Sequence, residues 1–382
     1  MMVMGQTRKL LALLAFVLGI AIVPHRVCER EADAWFDGEP ARVDALAAQV
    51  AEWTKTDLMP RDFVTGSSRF DGEWQFGTYM MAAMGFGQVV LERPERREES
   101  LARMERCLDM ALSRDVRAFD TSAWSEDALD ALDGPRGHAA YLGYAGVALG
   151  LHRNLRTSSH FSELHDRIVA ALVRRLDAAP AGFLETYPGE VYPVDNAAVF
   201  AAIALHARAL GRPVPAVFTR GLAALRDKGV DRTTGLLVQA VRFEDGSPRD
   251  RARASGTALA AYFLGFADEP MSSALHRALA KEQFRTVLGF GAMLEYAPGS
   301  SGRADIDSGP TPFGFGVSAT GFALGTSRMH GDRETFSALY ATAHLFGAPF
   351  DENGTRTHTT GGPLGDAILF AMMTAPQKGR IT

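Results

Sequence analysis

Cysteine is almost missing from this chain: two residues, Cys28 and Cys107, stand among 382. Two thiols cannot build a four-cysteine zinc site, and they supply no disulfide framework. Other absences narrow the chemistry further. Neither an H-E-x-x-H metal spacing nor a G-x-S-x-G nucleophile elbow occurs. The run at 314–322, GFGVSATGF, has the glycines of a phosphate loop. It lacks the preceding strand and the Lys-Ser/Thr ending, so it is no P-loop. Lysine is scarce, the basic charge is mostly arginine, and the net charge is −5. That balance leaves no footprint for nucleic acid. The remaining composition, 47% hydrophobic and 22% charged, is that of a globular protein.

Long apolar runs are absent too, with one exception. Arg8 and Lys9 precede an uncharged stretch at 10–23, LLALLAFVLGIAIV. A basic flank before such a run is the signal-peptide pattern. The run is shorter than the about 20 residues that span a bilayer comfortably. Pro24, His25 and Arg26 interrupt any small-residue cleavage site. Residues 1–30 therefore read as a signal anchor or transmembrane segment, with a cleaved signal as the alternative. Either places residues 31–382 outside the cytoplasm, anchored at the inner membrane or secreted to the periplasm or exterior.

Beyond this point two kinds of helical pattern alternate. Segments 41–54, 98–113, 161–177, 216–228, 271–288 and 332–346 are charged, with apolar residues at three- and four-residue spacing. Each has one buried stripe. Segments 74–91, 138–155, 195–210, 255–266, 313–329 and 363–373 are apolar nearly all round and rich in glycine and alanine. A helix apolar on every face is buried on every face. The second kind begins about every 50–65 residues, a repeat at the level of helical hairpins. Six buried helices wrapped by six amphipathic ones give an all-α (α/α)6 toroid. A linear solenoid would leave the apolar helices with an exposed face. Residues 235–244, GLLVQAVRFE, followed by Asp245-Gly246, read as a small β-hairpin inserted in one rim.

In a toroid the loops leading into the inner helices open onto the central cavity, where helix N-termini offer free N–H groups. The first loop carries Asp71, a candidate N-cap, then Glu73, Trp74 and Tyr79. The second carries His138, with Tyr141 and Tyr144 at spacings that share one helix face. The third, ETYPGEVYPVDN, packs Glu185, Thr186, Tyr187, Tyr192, Asp195 and Asn196 into twelve residues stiffened by two prolines. Asp195 there is a candidate cap or a site carboxylate. The fourth holds Arg251, Arg253 and Ser255. The fifth pairs Asp305 with Asp307 and continues to Phe313; the sixth is small and polar.

Carboxylates, tyrosines and one histidine imply acid–base work on a neutral, oxygen-bearing molecule, with no cofactor and no metal. Glu73, His138, Asp195 and Asp307 are the candidate catalytic groups. Trp74, Tyr79, Tyr141, Tyr144, Glu185, Thr186, Tyr187, Tyr192, Asn196, Asp305 and Phe313 are the candidate substrate contacts. The ETYPGEVYPVDN loop, the DIDSGPTPFGFGVSATGF segment and the DGEW turn resemble the linalool dehydratase-isomerase family. The resemblance covers most of the chain after about residue 40. It implies an (α/α)6 barrel and a cofactor-independent lyase or isomerase that adds or removes water at an alcohol. It also implies roles for His138 and for positions around Thr186 and Asp195. That family works with active-site cysteines, and this chain has none after Cys107. The alternatives are a carbohydrate-active enzyme (glycoside hydrolase, polysaccharide lyase or sugar epimerase) and a non-catalytic envelope protein that binds a glycan or lipid. The expected partners are a small alcohol or glycan substrate and, through the N-terminal segment, the inner membrane.

Overall fold

The computed structural model describes residues 22–300, 302 and 308–379, with positions 8, 9, 16 and 19. The expected signal anchor thus falls mostly outside the described residues. Among those described, no helix is long and apolar enough to cross a membrane.

Helix α1 (Ala32–Asp37) precedes six helix pairs. The first is α2 (Pro40–Lys55) with α3 (Ser68–Glu92). Next come α4 (Arg97–Ala111), the short α5 (Ala118–Trp124) and α6 (Tyr144–Leu155). Then follow α7 (Ser162–Ala178) with α8 (Pro193–Ala209), and α9 (Ala216–Ala224) with α10 (Ala254–Leu264). The last two pairs are α11 (Glu269–Glu282) with α12 (Val317–Met329), and α13 (Arg333–Gly347) with α14 (Gly362–Met373). The second member of each pair is an inner helix. Each inner helix packs on the next, and α14 packs on α3. The ring is closed, so the fold is an all-α (α/α)6 toroid, and the solenoid arrangement is excluded.

The sequence patterns explain the two layers. In α7 the buried residues Ile168, Val169, Leu172 and Leu176 form one stripe against the inner ring. In α8 every residue from 195 to 205 is buried. Small residues let the inner helices meet. Gly85 of α3 faces the Phe370 ring of α14, and a Cβ there would collide with it. Gly85→Ala is therefore expected to cost about 1–3 kcal/mol, read as a lower midpoint in thermal or urea unfolding.

All six inner helices run from one end of the ring, the mouth, to the other, the base. Near the base the Tyr262 hydroxyl of α10 donates to Gln88 Oε1 of α3, 3.0 Å away. Gln88 Nε2 in turn donates to the Ala371 carbonyl of α14 at 2.9 Å. Helices α3 and α10 stand opposite each other in the ring, so this contact crosses its axis.

The expected β-hairpin is present only in irregular form. Segment 235–244 folds back antiparallel on 247–253 around the Asp245-Gly246 turn, with Arg249 N donating to the Ala240 carbonyl and Gln239 N to the Arg251 carbonyl, as isolated bridges and not as a regular ladder. The reason is that its backbone is shared out: Val241 N donates to the Val191 carbonyl, binding this segment to the third mouth loop. The two regular hairpins are β1 (Phe284–Val287) with β2 (Phe290–Met293), and β3 (Pro349–Glu352) with β4 (Thr355–His358), both antiparallel. The amphipathic pattern read as 271–288 accordingly ends as helix at Glu282.

Two buried histidines make the fold acid-sensitive. Burial pushes the His165 pKa down to about 3, and neither of its ring nitrogens has a hydrogen-bond partner. His330 falls to about 4, first through burial and then through His276 stacked beside it. Folded, both resist a proton that the unfolded chain accepts below about pH 6.5. Their stabilising neutrality is fully present above that value and is lost as pH falls toward the folded pKa. At pH 5 each costs about 2 kcal/mol. The urea midpoint should fall between pH 7 and pH 5, and His165→Leu should reduce that fall.

Candidate active site

The third mouth loop is held by an amide. Asn196 Nδ2 donates to the carbonyls of Leu184 and Tyr192, each at 3.0 Å, and its Oδ1 accepts from Leu184 N at 2.8 Å. Pro193 starts α8, where its missing N–H costs nothing, and Tyr192 is the N-cap. Asp195 is therefore in the first turn and caps no helix. Its Oδ1 accepts from the Tyr144 hydroxyl of α6 at 2.9 Å, and its Oδ2 from Thr186 Oγ1 at 2.7 Å. Thr186 is fixed in turn, since its Oγ1 accepts from Tyr192 N at 3.1 Å. With both oxygens accepting, Asp195 is arranged as a proton acceptor.

Opposite stands α3. It begins at Ser68, earlier than the sequence pattern implied, because Asp71 is no cap. Asp71 Oδ1 instead accepts from Thr65 N and Thr65 Oγ1, at 2.9 and 2.7 Å. The earlier start puts Arg69 one turn before Glu73 on the same face. The Arg69 guanidinium lies over the Tyr187 ring, 3.6 Å from its centroid, and its Nη2 is 4.0 Å from Glu190 Oε2. The Tyr192 hydroxyl donates to the same Glu190 oxygen at 3.0 Å. Burial raises the Tyr187 pKa well above the usual phenol value, with the neighbouring Glu73 carboxylate adding to the effect. Tyr187 is thus a neutral hydroxyl at any working pH.

These groups enclose a cavity of about 290 Å³. One wall is polar: Arg69, Glu73, Thr186, Glu190, Tyr192, Asp195, Gln239 and Ser255. Trp74, Tyr144 and Tyr187 contribute aromatic surface. An apolar stretch of the lining is built from Phe76, Met80, Met81, Phe322, Leu364 and Ile368, and Phe119, Val194 and Leu259 add apolar surface elsewhere. Among the described residues no cluster of His, Cys, Asp or Glu is placed to hold a metal ion.

The structure thus brings together Glu73, Trp74, Tyr144, Thr186, Tyr187, Tyr192 and Asp195. Other expected site residues have different places. His138 does not line the cavity. Its φ of 50° puts it before the first turn, off the helix face that carries Tyr141 and Tyr144. It is buried, with Nδ1 2.6 Å from Asp120 Oδ2 and Nε2 3.2 Å from Glu126 Oε1, and its ring lies against Trp124. Tyr141 is sealed between Phe76 and Phe119, and its hydroxyl donates to the Ala111 carbonyl. The Tyr79 hydroxyl accepts from Leu58 N and ties down the first mouth loop. Glu185 Oε1 accepts from Gly189 N within its own loop, and Asn196 is the loop clamp. Phe313 precedes α12 and is 97% exposed. Asp305 and Asp307 lie outside the described residues.

Five polar lining residues, Arg69, Glu190, Gln239, Ser255 and Ser318, were not among the expected contacts. Arg69 follows from Glu73 by helical spacing once the true start of α3 is known. Glu190 sits inside the ETYPGEVYPVDN motif. Ser255 opens α10 and was read at the fourth mouth loop without a place among the substrate contacts. Gln239 reaches the cavity through the bridge between Val241 and Val191, which nothing local announces.

No family model and no curated protein matches this chain. Solved structures do. An inactive variant of the α-1,6-mannanase GH76A of Salegentibacter sp. HEL1_6, in complex with α-1,6-mannotriose, is 11% identical with a TM-score of 0.52. The match covers 87% of this chain and 98% of that one. The fold is theirs. An unsaturated glucuronyl hydrolase specific for heparin is 12% identical over 89% of this chain and 96% of its own, with a TM-score of 0.52. The unsaturated glucuronyl hydrolase of Bacillus sp. GL1 is 13% identical over 88% and 96%, with a TM-score of 0.50. At such identities the likeness is one of architecture, and it adds nothing to the (α/α)6 toroid beyond its use by sugar-cleaving enzymes.

Proposed function

We propose that this chain is a carbohydrate-active enzyme that cleaves a glycosidic bond. The observation that carries the reading is that Glu73 and Asp195 both line one cavity that also has aromatic surface, with both Asp195 oxygens held by hydroxyl donors. Cleavage needs one carboxyl group to protonate the leaving oxygen and a carboxylate to act at the anomeric side. Asp195, arranged as an acceptor, takes the second role, as base toward water or as nucleophile. Glu73 takes the first. Tyr187 donates a hydrogen bond from a hydroxyl that does not ionise. Trp74 offers a face for a sugar ring, and Gln239 and Ser255 offer donors and acceptors for its hydroxyls. The mannanase and glucuronyl hydrolase neighbours give the first substrates to try. Incubation with α-mannooligosaccharides and unsaturated glucuronyl oligosaccharides should release sugar that the Asp195→Asn chain does not release. Equal release by both, or none from any glycan in a broad panel, would refute the reading.

One observation favours a second reading. The apolar wall of Phe322, Leu364 and Ile368 suits a hydrocarbon better than a sugar. On that reading the same acid and base add or remove water at an alcohol, as the likeness to linalool dehydratase-isomerase implied. Gas chromatography of terpene alcohols incubated with the protein distinguishes the two.

A further inference from the structure

Among the described residues, the exposed large apolar side chains of the mouth are confined to one arc. Val64, Phe313, Val317, Phe346 and Phe350 are exposed by 93, 97, 56, 70 and 45%. They belong to the mouth connections of the first, fifth and sixth helix pairs. These pairs are neighbours, because α12 packs on α14 and α14 on α3. Inside the cavity part of the apolar lining has the same origin: Phe322 comes from α12, Leu364 and Ile368 from α14, and Met80 and Met81 from α3. On this side an apolar rim therefore continues into apolar lining. The charged groups of the cavity, and most of its polar ones, come from the first, third and fourth pairs. An apolar patch with this extent and continuity marks a contact surface.

The N-terminal stretch indicates what covers it. Helix α13 runs from the base to the mouth. Phe36 packs on Phe336 near its start, whereas Glu31 accepts a hydrogen bond from Tyr340, a turn nearer the mouth. Glu31 also accepts from Arg356 Nη2 on β4, in the connection to α14. Going toward the N-terminus, the chain thus climbs toward the mouth on the side of the sixth pair. It reaches Val23 and Ile22, exposed by 57 and 51%. The sequence before them is the uncharged run 10–23, preceded by Arg8 and Lys9. Apolar residues beside cations suit an acyl layer under anionic headgroups.

We infer that this arc of the mouth rests on a lipid bilayer. The cavity then opens at the membrane surface, its apolar wall continuous with the acyl layer. A ligand reaching it by that route carries a hydrocarbon portion along Phe322, Leu364 and Ile368 and presents its oxygens to Asp195 and Glu73. This inference rests on the placement of apolar surface and stands whether or not the glycosidase reading holds.

The test uses the full chain in a Cys28→Ser, Cys107→Ala background, with an environment-sensitive fluorophore on Phe346→Cys, Phe313→Cys or Val214→Cys. Val214 precedes α9 at the base and is 39% exposed. Vesicles of phosphatidylethanolamine and phosphatidylglycerol should shift the emission of the two mouth probes to the blue. Brominated lipid should quench them, with Val214 unaffected. As a second measurement free of labels, Phe346→Ser with Phe350→Ser in the otherwise native chain should lower vesicle flotation roughly tenfold. No shift at the mouth probes overturns the inference, and so does an equal shift at Val214. A shift without vesicles that grows with protein concentration would assign the arc to a second copy of the chain and overturn it equally.

Discussion

Asp195→Asn is expected to lower kcat roughly a thousandfold or more on any substrate the protein turns over, with KM and thermal midpoint nearly unchanged. The substitution keeps the shape of the side chain. The amide oxygen can still accept from Tyr144, and the amide nitrogen can donate to Thr186 Oγ1, so the third mouth loop keeps its geometry. Only the capacity to take a proton or attack a carbon disappears. Glu73→Gln should behave differently. If Glu73 is the acid, substrates with good leaving groups, such as nitrophenyl glycosides, lose much less rate than natural ones, because they leave without a proton. Equal losses on both substrate types would remove Glu73 from that role. Asp195→Asn with full turnover would remove Asp195 from the chemistry altogether.

Arg328→Leu is expected to destabilise the fold by about 3–5 kcal/mol. Arg328 belongs to α12 and is 1% exposed. Its Nε donates to the Phe36 carbonyl at 3.1 Å, and its Nη1 to the Ala375 carbonyl. Nη1 and Nη2 also grip Glu92 Oε1 and Oε2 of α3, at 2.7 and 2.9 Å. One guanidinium therefore joins the first pair, the fifth pair, α1 and the segment after α14. It is the seam where α1 and the segment after α14 meet the ring. Leucine fills the volume but leaves the Glu92 carboxylate without its guanidinium and two carbonyls without their donor. The urea midpoint of the variant measures the loss. A change of less than about 1 kcal/mol would show that water replaces the lost donors.

The fold was legible because its signal is periodic. The stripes of α7 and the all-round apolarity of α8 are local properties that burial turns directly into an outer and an inner layer. Mouth loops were legible as locations for the same reason. Individual side chains within them were not. His138, Tyr141 and Tyr144 have the spacing of one helix face, yet a left-handed residue at 138 breaks the helix there and only Tyr144 reaches the cavity. The partner that holds His138, Asp120, sits on α5, a helix with no periodic signal of its own. Asn196 looked like a second site residue beside Asp195. One step along a helix turns a side chain by about 100°, so Asp195 faces the cavity and Asn196 faces the loop. Gln239 depended on a bridge between distant segments, which sequence patterns do not carry.

The Tyr262–Gln88 contact across the ring axis makes the interior a cup instead of a tunnel. Nothing can be threaded through it, so a polymer could be served only at a terminus that dips in from the mouth. Product must back out along the path by which substrate arrived, and until it has gone the next molecule waits. On the proposed glycosidic-cleavage reading, turnover in such a vessel would be paced by emptying as much as by bond cleavage. Inhibition by the released product is then the kinetic signature to look for first.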